Sequence, residues 1–180
     1  HFDQTGQFTG SVSIRGRKIA IDCVSTMDHS WGPRPERGGP SMSWLHAHFS
    51  KDLAVHAIFS FDPARNNGRE LALAHGYVLG RGKVFGLKAA TGETIRRQER
   101  YPDSVSLRLT DSADRVWALN GRALTTLPWL FVPNNIGFNS LLEWTCNGQT
   151  GHGEAMDFVE LPALNALNSD PATLRASRPL

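Results

Sequence analysis

The feature that most constrains the fold of this chain is a long succession of short runs in which apolar and polar residues alternate. One such run is Val105-Ser106-Leu107-Arg108-Leu109-Thr110, and similar runs recur along nearly the whole sequence. Strict alternation places the apolar side chains on one face of a strand, so each run predicts a half-buried β-strand. Only the segment Leu161 to Asn168 has the pattern of a short helix. The sequence therefore predicts an all-β protein.

Turns that contain glycine separate these runs and predict hairpins between neighbouring strands. Arg15-Gly16-Arg17 joins the first pair, Gly80-Arg81-Gly82 joins a later pair, and Asn147-Gly148 joins the last pair. About nine or ten strands connected in this way favour an antiparallel sandwich or barrel. A closed barrel of about eight strands is just wide enough to hold one small ligand.

Composition places the chain among ordinary globular domains and excludes several classes of function. It has 180 residues, 40% of them hydrophobic and 20% charged, which suits one domain with a real core. Its net charge of +2, from 19 basic and 17 acidic residues, is too balanced to indicate a nucleic-acid partner. No apolar run approaches the roughly 20 residues that a membrane helix needs. We expect a cytoplasmic protein with no membrane span.

The most unusual segment is Asp28-His29-Ser30-Trp31-Gly32-Pro33-Arg34, which follows a strand-like run. The Asp28 carboxylate has the chemistry to orient an imidazole and raise its pKa. Neighbouring residues on a strand point to opposite faces, so His29 and Trp31 are expected to share a face. The alternative is structural, with Asp28 capping the following loop and His29 closing the end of the barrel. Arg34 suits a bidentate pair with a carboxylate.

A second segment, Trp44-Leu45-His46-Ala47-His48, places an indole and two imidazoles on one face of a strand. The opposite face is apolar, so the strand is predicted to be buried on both sides. Buried histidines need hydrogen-bond partners or a wet cavity, and we expect His46 and His48 to line a pocket rather than serve a structural role. His56, on the following strand, is a weaker third member.

Metal binding is an alternative use of these imidazoles. His46 and His48 would supply two ligands, with His29, His56 or Asp28 as the third. The spacing does not demand an ion, and we predict neither a metal nor another cofactor.

Three segments resemble one known family. Phe2-Asp3-Gln4, Gly10-x-Val12 and the Asp28-to-Arg34 motif are similar to the lipocalin-like superfamily of carotenoid 1,2-hydratases (hydroxyneurosporene synthases) and their kievitone hydratase and AttH-like relatives. The Asp-His-x-Trp-Gly-x-Arg string is the most specific mark. Members of that family resemble two lipocalin-like domains side by side, with this motif early in the second half. The resemblance therefore implies that the chain corresponds to the second, C-terminal half.

The resemblance also implies a reaction in which an isoprenoid C=C bond is protonated and water captures the carbocation. The His-x-Trp pair of the family corresponds to His29 and Trp31. Where the family has a Tyr-x-Asp pair on the next strand, this chain has Trp44-x-His46-x-His48. The proton donor would then be a histidinium, Asp28 or Asp62.

We therefore expect an antiparallel lipocalin-like (calycin) barrel over residues 1–168, with a short C-terminal helix followed by a tail over residues 169–180. The predicted function is acid–base chemistry at a C=C bond of a hydrophobic, isoprenoid-like molecule, as a hydratase, cyclase or isomerase. The predicted catalytic residues are His29, His46 and Asp28, and the predicted substrate contacts are Trp31, Trp44, His48, Arg34 and His56. A second lipocalin-like domain or chain is a further expected partner. The alternatives are a non-catalytic carrier of a hydrophobic ligand and a metal-dependent barrel enzyme.

Overall fold

A computed structural model of the chain describes residues 1–33, 41–96 and 101–168. Within these ranges the chain forms ten strands and one α-helix. The strands are β1 (Phe2–Ile14), β2 (Arg17–His29), β3 (Ser41–Ser50), β4 (Leu53–Phe61), β5 (Glu70–Gly80), β6 (Lys83–Arg96), β7 (Pro102–Asp111), β8 (Val116–Val132), β9 (Asn135–Cys146) and β10 (Gln149–Glu160). The helix α1 covers Leu161–Asn168, as predicted, and a short 3-10 turn covers Asn66–Gly68. Arg34 and the predicted tail lie outside the described residues.

Eight of these strands form a closed antiparallel barrel in the order β10-β3-β4-β5-β6-β7-β8-β9. Strands β1 and β2 pair only with each other and form a separate two-stranded sheet, here called the hairpin. From β3 to β10 each strand pairs with the next in sequence, and β10 closes the barrel by pairing with β3. The predicted all-β lipocalin-like barrel with a short helix is confirmed. No α-helix in the described ranges is long and apolar enough to cross a bilayer.

The three predicted glycine turns all join strands by two residues that both have positive φ. Their φ values are 50° and 76° at Arg15-Gly16, 51° and 72° at Arg81-Gly82, and 50° and 76° at Asn147-Gly148. Positive φ at both central residues is the type I′ pattern, whose twist matches that of the flanking strands. Strand β8 runs without interruption from Val116 to Val132.

Large apolar side chains pack in the core of the barrel. Phe59, Leu109, Leu119, Leu142 and Trp144 are fully buried and belong to one apolar core to which β3, β5 and β10 also contribute. Burying a side chain of this kind stabilises a fold by roughly 1.5–3 kcal/mol. That an apolar ligand binds in the barrel stays a prediction.

A buried ion pair crosses the interior of the barrel. Arg96 on β6 contacts Asp157 on β10, and the two side chains are 4% and 1% exposed. Strands β6 and β10 are four places apart in the eight-strand order, so they lie on opposite sides of the barrel. The guanidinium also lies 4.6 Å from the centre of the Phe61 ring and donates to the carbonyl of Gly68. This ion pair therefore links β6 and β10, two strands that do not pair with each other in the sheet.

Two glycines let neighbouring strands approach the histidine-bearing strands closely. A Cβ atom on Gly153 of β10 would overlap the carbonyl oxygen of His46, and one on Gly76 of β5 would overlap that of His56. Strands β3 and β4 are therefore held tightly between their neighbours at the level of the two histidines.

Candidate functional site

The predicted face of β3 that carries Trp44, His46 and His48 points away from the barrel core. Leu45 and Ala47, which alternate with these residues, pack in the apolar core. Since successive side chains on a strand point to opposite sides, the indole and the two imidazoles lie on the outer wall. The expectation that they line a cavity inside the barrel is therefore corrected. They are nevertheless largely buried, because the hairpin covers them.

The aromatic cluster continues across the next two strands. His46 is directly opposite His56 of β4, and His56 is directly opposite Tyr77 of β5. Ring centres are 3.9 Å apart for Trp44 and His46, 5.4 Å for His46 and His56, and 5.3 Å for His56 and Tyr77. The remaining ring contacts of this cluster join Trp44 to His56 at 5.6 Å, His46 to His48 at 5.5 Å and His56 to His75 at 6.4 Å. We call Trp44, His46, His48, His56, His75 and Tyr77 the histidine cluster.

Three polar side chains on the inward face of the hairpin contact the histidine cluster. The contacts are Asp3 Oδ2 to His56 Nε2 at 3.0 Å, Thr5 Oγ1 to Tyr77 Oη at 2.8 Å, and Thr26 Oγ1 to His48 Nε2 at 2.9 Å. Asp3 and His56 are almost fully buried, with side chains 4% and 1% exposed. The hairpin thus supplies a buried carboxylate and two hydroxyls to a cluster whose aromatic groups all come from the barrel.

Asp28 is linked to this carboxylate through two further side chains. Ser30 donates a hydrogen bond to Asp28 Oδ1 at 2.5 Å, and His1 Nδ1 lies 2.7 Å from Ser30 Oγ. The other nitrogen of His1 lies 2.8 Å from Asp3 Oδ2. Asp28 therefore reaches His56 through a polar chain, Asp28–Ser30–His1–Asp3–His56.

His29 and Trp31 lie apart from the histidine cluster. Asp3 and Asp28 are a cross-strand pair on the face toward the barrel, so the neighbouring pair, Phe2 and His29, points the other way. Phe2 stacks on His29 at 5.4 Å, and Trp31 meets His29 edge-on at 5.2 Å with 66% of its surface exposed. The prediction that His29 and Trp31 share a face agrees with this contact, but the structure does not bring them to His46.

Burial sets the charge state of the cluster. It lowers the pKa of His46 to about 2, helped by the neighbouring His48 and His56 rings. Burial also lowers the pKa of His48 and, despite the attraction of Asp3, that of His56. For Asp3, burial raises the pKa, and the opposing effect of His56 does not cancel it. The cluster thus favours neutral imidazoles beside a carboxyl group that holds its proton more firmly than usual.

Several buried polar atoms of the cluster have unused hydrogen-bonding capacity. Among the described residues, Trp44 Nε1, His46 Nε2, both His56 nitrogens and Asp3 Oδ1 have no aligned hydrogen-bond partner. The 3.0 Å contact between Asp3 and His56 is thus close without being aligned as a hydrogen bond. Such a concentration of unpaired buried groups is typical of a catalytic site or of a site that holds water or a ligand.

One group of described residues has the spacing of metal ligands. One ligand atom each from His1, Asp3 and Asp28 lies within 4.8 Å of the others. His46 and His48, the two ligands that the metal alternative required, do not belong to it. The hydrogen bonds of His1 already hold the three residues of this group together.

A cleft of about 390 Å³ opens beside the cluster, between the hairpin and the barrel. His48 is the member of the histidine cluster that reaches it, and Lys51 and His152 are among the other residues that line it. The cleft therefore gives solvent a route to one edge of the buried cluster.

Sequence reasoning missed five groups of this site, namely Asp3, Thr5, Thr26, His75 and Tyr77. Asp3 and Thr5 alternate on one strand and therefore share a face, which is a weak signal of a polar surface. Their partners are far away in sequence, so only the docking of the hairpin reveals the contact. Asp62, a suggested proton donor, is exposed and accepts a hydrogen bond from the backbone of Ala64 in the turn after β4.

The depressed pKa of His46 predicts acid destabilisation. As the pH falls below 6.5, an unfolded histidine takes up a proton, whereas folded His46 stays neutral down to about pH 2. Because the unfolded state then binds more protons, the free energy of unfolding decreases. Between about pH 7.5 and about pH 4.5, His46→Leu is expected to lose less stability than the parent protein, by about 2–3 kcal/mol. Urea unfolding at both pH values measures the difference. His152→Leu, at an exposed position, is the control, and equal pH dependence in all three proteins would contradict the prediction.

The fold and the site together define a lipocalin-like barrel whose polar cluster lies under an N-terminal hairpin. A sequence profile of the family described as "Domain of unknown function (DUF7064)" matches residues 1–157, and the chain belongs to that family. No curated protein matches the chain. Kievitone hydratase from Nectria haematococca has a similar fold, with a TM-score of 0.50 and 17% sequence identity. That match covers 84% of this chain and 49% of the hydratase, so the chain spans about half the length of that protein.

Proposed function

We propose that this protein is a hydratase-type enzyme that moves a proton at a C=C bond of a hydrophobic small molecule. The observation that carries the proposal is the buried Asp3 carboxyl group, 3.0 Å from His56 in a cluster of neutral imidazoles. Burial raises the pKa of Asp3 toward neutral pH, as a general acid requires, and the neutral imidazoles beside it can accept hydrogen bonds. The similar fold of kievitone hydratase agrees with this class of reaction.

In the proposed reaction Asp3 is the acid. Its O–H bond breaks and a C–H bond forms, while the π electrons of the alkene leave the other carbon as a carbocation. The indole face of Trp44 lies where it stabilises a cation beside His46 and His56. Water then forms the C–O bond and loses a proton to the Asp3 carboxylate, while the unpaired Nε2 of neutral His46 accepts a hydrogen bond from that water. Elimination of a proton without addition of water gives an isomerase or cyclase from the same site.

The other predicted site residues receive more distant roles in this proposal. Asp28 acts on Asp3 through Ser30 and His1, so it is a positioning residue. His29 and Trp31, on the outward face of the hairpin, contact a substrate only when it binds outside the cluster. Because the histidine cluster is buried, the hairpin has to move aside to admit a substrate, and it forms its own sheet, separate from the barrel.

A second lipocalin-like domain is the partner that we propose for the outward face of the hairpin. That face and its tip expose apolar side chains, including Phe2, Phe8, Val12, Ile14 and Ile19. A solitary two-stranded hairpin is only marginally stable in water, so a covering domain would favour its position. The match to about half of kievitone hydratase agrees with a chain that corresponds to one half of a two-domain protein, and we propose that it is the C-terminal half.

The alternative of a carrier finds less support. A lipocalin-type carrier holds its ligand inside the barrel. Here large buried side chains such as Trp144 and Phe59 belong to the barrel core and leave less of that space for a ligand. A carrier that uses the cleft beside the cluster is still compatible with the structure.

Mass spectrometry of small molecules that co-purify with the protein, followed by turnover in H₂¹⁸O, tests the proposal. A hydratase incorporates ¹⁸O into an alkene ligand, and His46→Ala retains binding while it loses most of the turnover. Chelating agents are expected to leave the rate unchanged, which separates this chemistry from the metal-dependent alternative. Binding without any conversion, in the parent protein as in the variant, would instead identify a carrier.

A further inference from the structure

Four side chains form one continuous line of hydrogen bonds from the histidine cluster to the cleft. Tyr77 Oη lies 2.8 Å from Thr5 Oγ1, which lies 2.9 Å from Thr26 Oγ1, which lies 2.9 Å from His48 Nε2. Two of these residues belong to the barrel and two to the hairpin, so the line passes from β5 over both hairpin strands to β3. We call it the hydroxyl chain.

One tautomer of His48 gives every bond in the hydroxyl chain the same direction. Burial lowers the pKa of His48, so the ring is neutral and one of its nitrogens accepts. With the proton on Nδ1, the accepting nitrogen is Nε2, which faces Thr26. Thr26 therefore donates to His48, which leaves its oxygen to accept from Thr5. Thr5 in turn accepts from the phenol of Tyr77.

The two ends of the hydroxyl chain lie in different environments. At one end the Tyr77 ring is 5.3 Å from that of His56, the imidazole that contacts Asp3. At the other end His48 lines the cleft together with His152. The chain thus connects the interior of the candidate site to a position that water can reach.

We infer that the hydroxyl chain Tyr77–Thr5–Thr26–His48 conducts protons between the buried site and the cleft. This inference rests on the proposed acid–base function, which gives the proton relay its purpose. The hydrogen bonds of the hydroxyl chain do not depend on that function. It assigns Thr5, Thr26 and Tyr77 as positioning and relay residues.

Outward transfer moves one proton and needs no other reactant. The Tyr77 O–H proton passes to Thr5 as Thr5 passes its own to Thr26 and Thr26 passes its own to His48 Nε2. Tyr77 regains a proton from the Asp3 carboxyl group, whose O–H bond breaks and leaves a carboxylate, and His48 releases its Nδ1 proton to water in the cleft. Each hydroxyl thus breaks one O–H bond and gains another. Burial, which disfavours the charged imidazolium, favours prompt release of that proton.

The test compares Thr26→Val, which keeps the shape of the side chain but removes its hydroxyl, with Thr26→Ser, which restores it. ¹⁵N NMR of the His48 side chain is expected to report the Nδ1–H tautomer in the parent protein and in Thr26→Ser. In Thr26→Val a mixture of tautomers is expected, since Nε2 has lost its donor. Thr9→Val, at an exposed position of the same hairpin, is the matched control and keeps the parental spectrum.

Conduction has its own measurement, which does not depend on turnover. Exchange of the Tyr77 hydroxyl proton with solvent, followed by NMR, is expected to slow by about tenfold or more in Thr26→Val and to recover in Thr26→Ser. An Nε2–H tautomer in the parent protein, or unchanged exchange in Thr26→Val, would overturn the inference. Failure to find any reaction would count against the proposed function and leave both NMR results valid.

Discussion

Arg96→Met is expected to destabilise the barrel by about 3–5 kcal/mol, because it leaves the carboxylate of Asp157 buried and without its counter-ion. Asp157 is 1% exposed, and its Oδ1 already lacks a hydrogen-bond partner among the described residues. Methionine fills a similar volume, so the loss reports mainly the unpaired charge rather than a cavity. Chemical unfolding at neutral pH, monitored by tryptophan fluorescence, measures the change in the free energy of unfolding.

A surface ion pair on the same barrel provides the matched control. Arg122 and Glu143 are 3.2 Å apart, with side chains 66% and 38% exposed, and Arg122→Met should cost less than about 1 kcal/mol. The double variant Arg96→Met/Asp157→Leu is expected to recover most of the lost stability, since it removes both charges. Equal costs for Arg96→Met and Arg122→Met would show that the internal pair does not hold the barrel as described.

Asp3→Asn is expected to lower kcat/KM by about 10²–10⁴-fold while the protein stays folded, because the amide keeps the shape of the side chain but carries no acidic proton. The rate of the parent enzyme should fall as the pH rises through the pKa of Asp3, which burial places above the ordinary 3.8. That decrease should be absent from the residual activity of Asp3→Asn. Initial rates across a pH series, with the substrate identified by co-purification, measure both effects.

Asp114→Asn is the control for this experiment, because Asp114 is exposed in the turn after β7, where its side chain pairs with Lys88. Its kinetics should match those of the parent enzyme. If Asp3→Asn retained the parental rate and pH profile, Asp3 would have no part in proton transfer and the mechanism would have to be abandoned.

Much of the fold could be predicted from the sequence because local rules determine it. The alternation in Val105 to Thr110 identifies a strand of the barrel, and Arg15-Gly16, Arg81-Gly82 and Asn147-Gly148 identify its tight turns. These features depend on neighbours in the chain, so periodicity and turn chemistry suffice to predict them.

The position of the candidate site could be predicted only in part. Alternation correctly places Trp44, His46 and His48 on one face, but it does not tell whether that face is the inside or the outside of a closed sheet. The apolar face, with Leu45 and Ala47, occupies the interior and leaves the imidazoles outside. Their burial then depends on a separate hairpin, whose docking no local pattern of β3 encodes. The contact of Asp3 with His56 joins residues far apart in the sequence and becomes visible only in three dimensions.

The division of labour between the hairpin and the barrel bears on how such a protein can change over time. Asp3, Thr5 and Thr26 come from the hairpin, which forms no backbone ladder with the barrel sheet, whereas the aromatic side chains of the histidine cluster come from the barrel itself. Mutations in the hairpin can therefore alter the reaction or its substrate without lowering the stability of the barrel. Homologues with the same barrel and different residues at positions 3, 5 and 26 are accordingly the place to look for new activities.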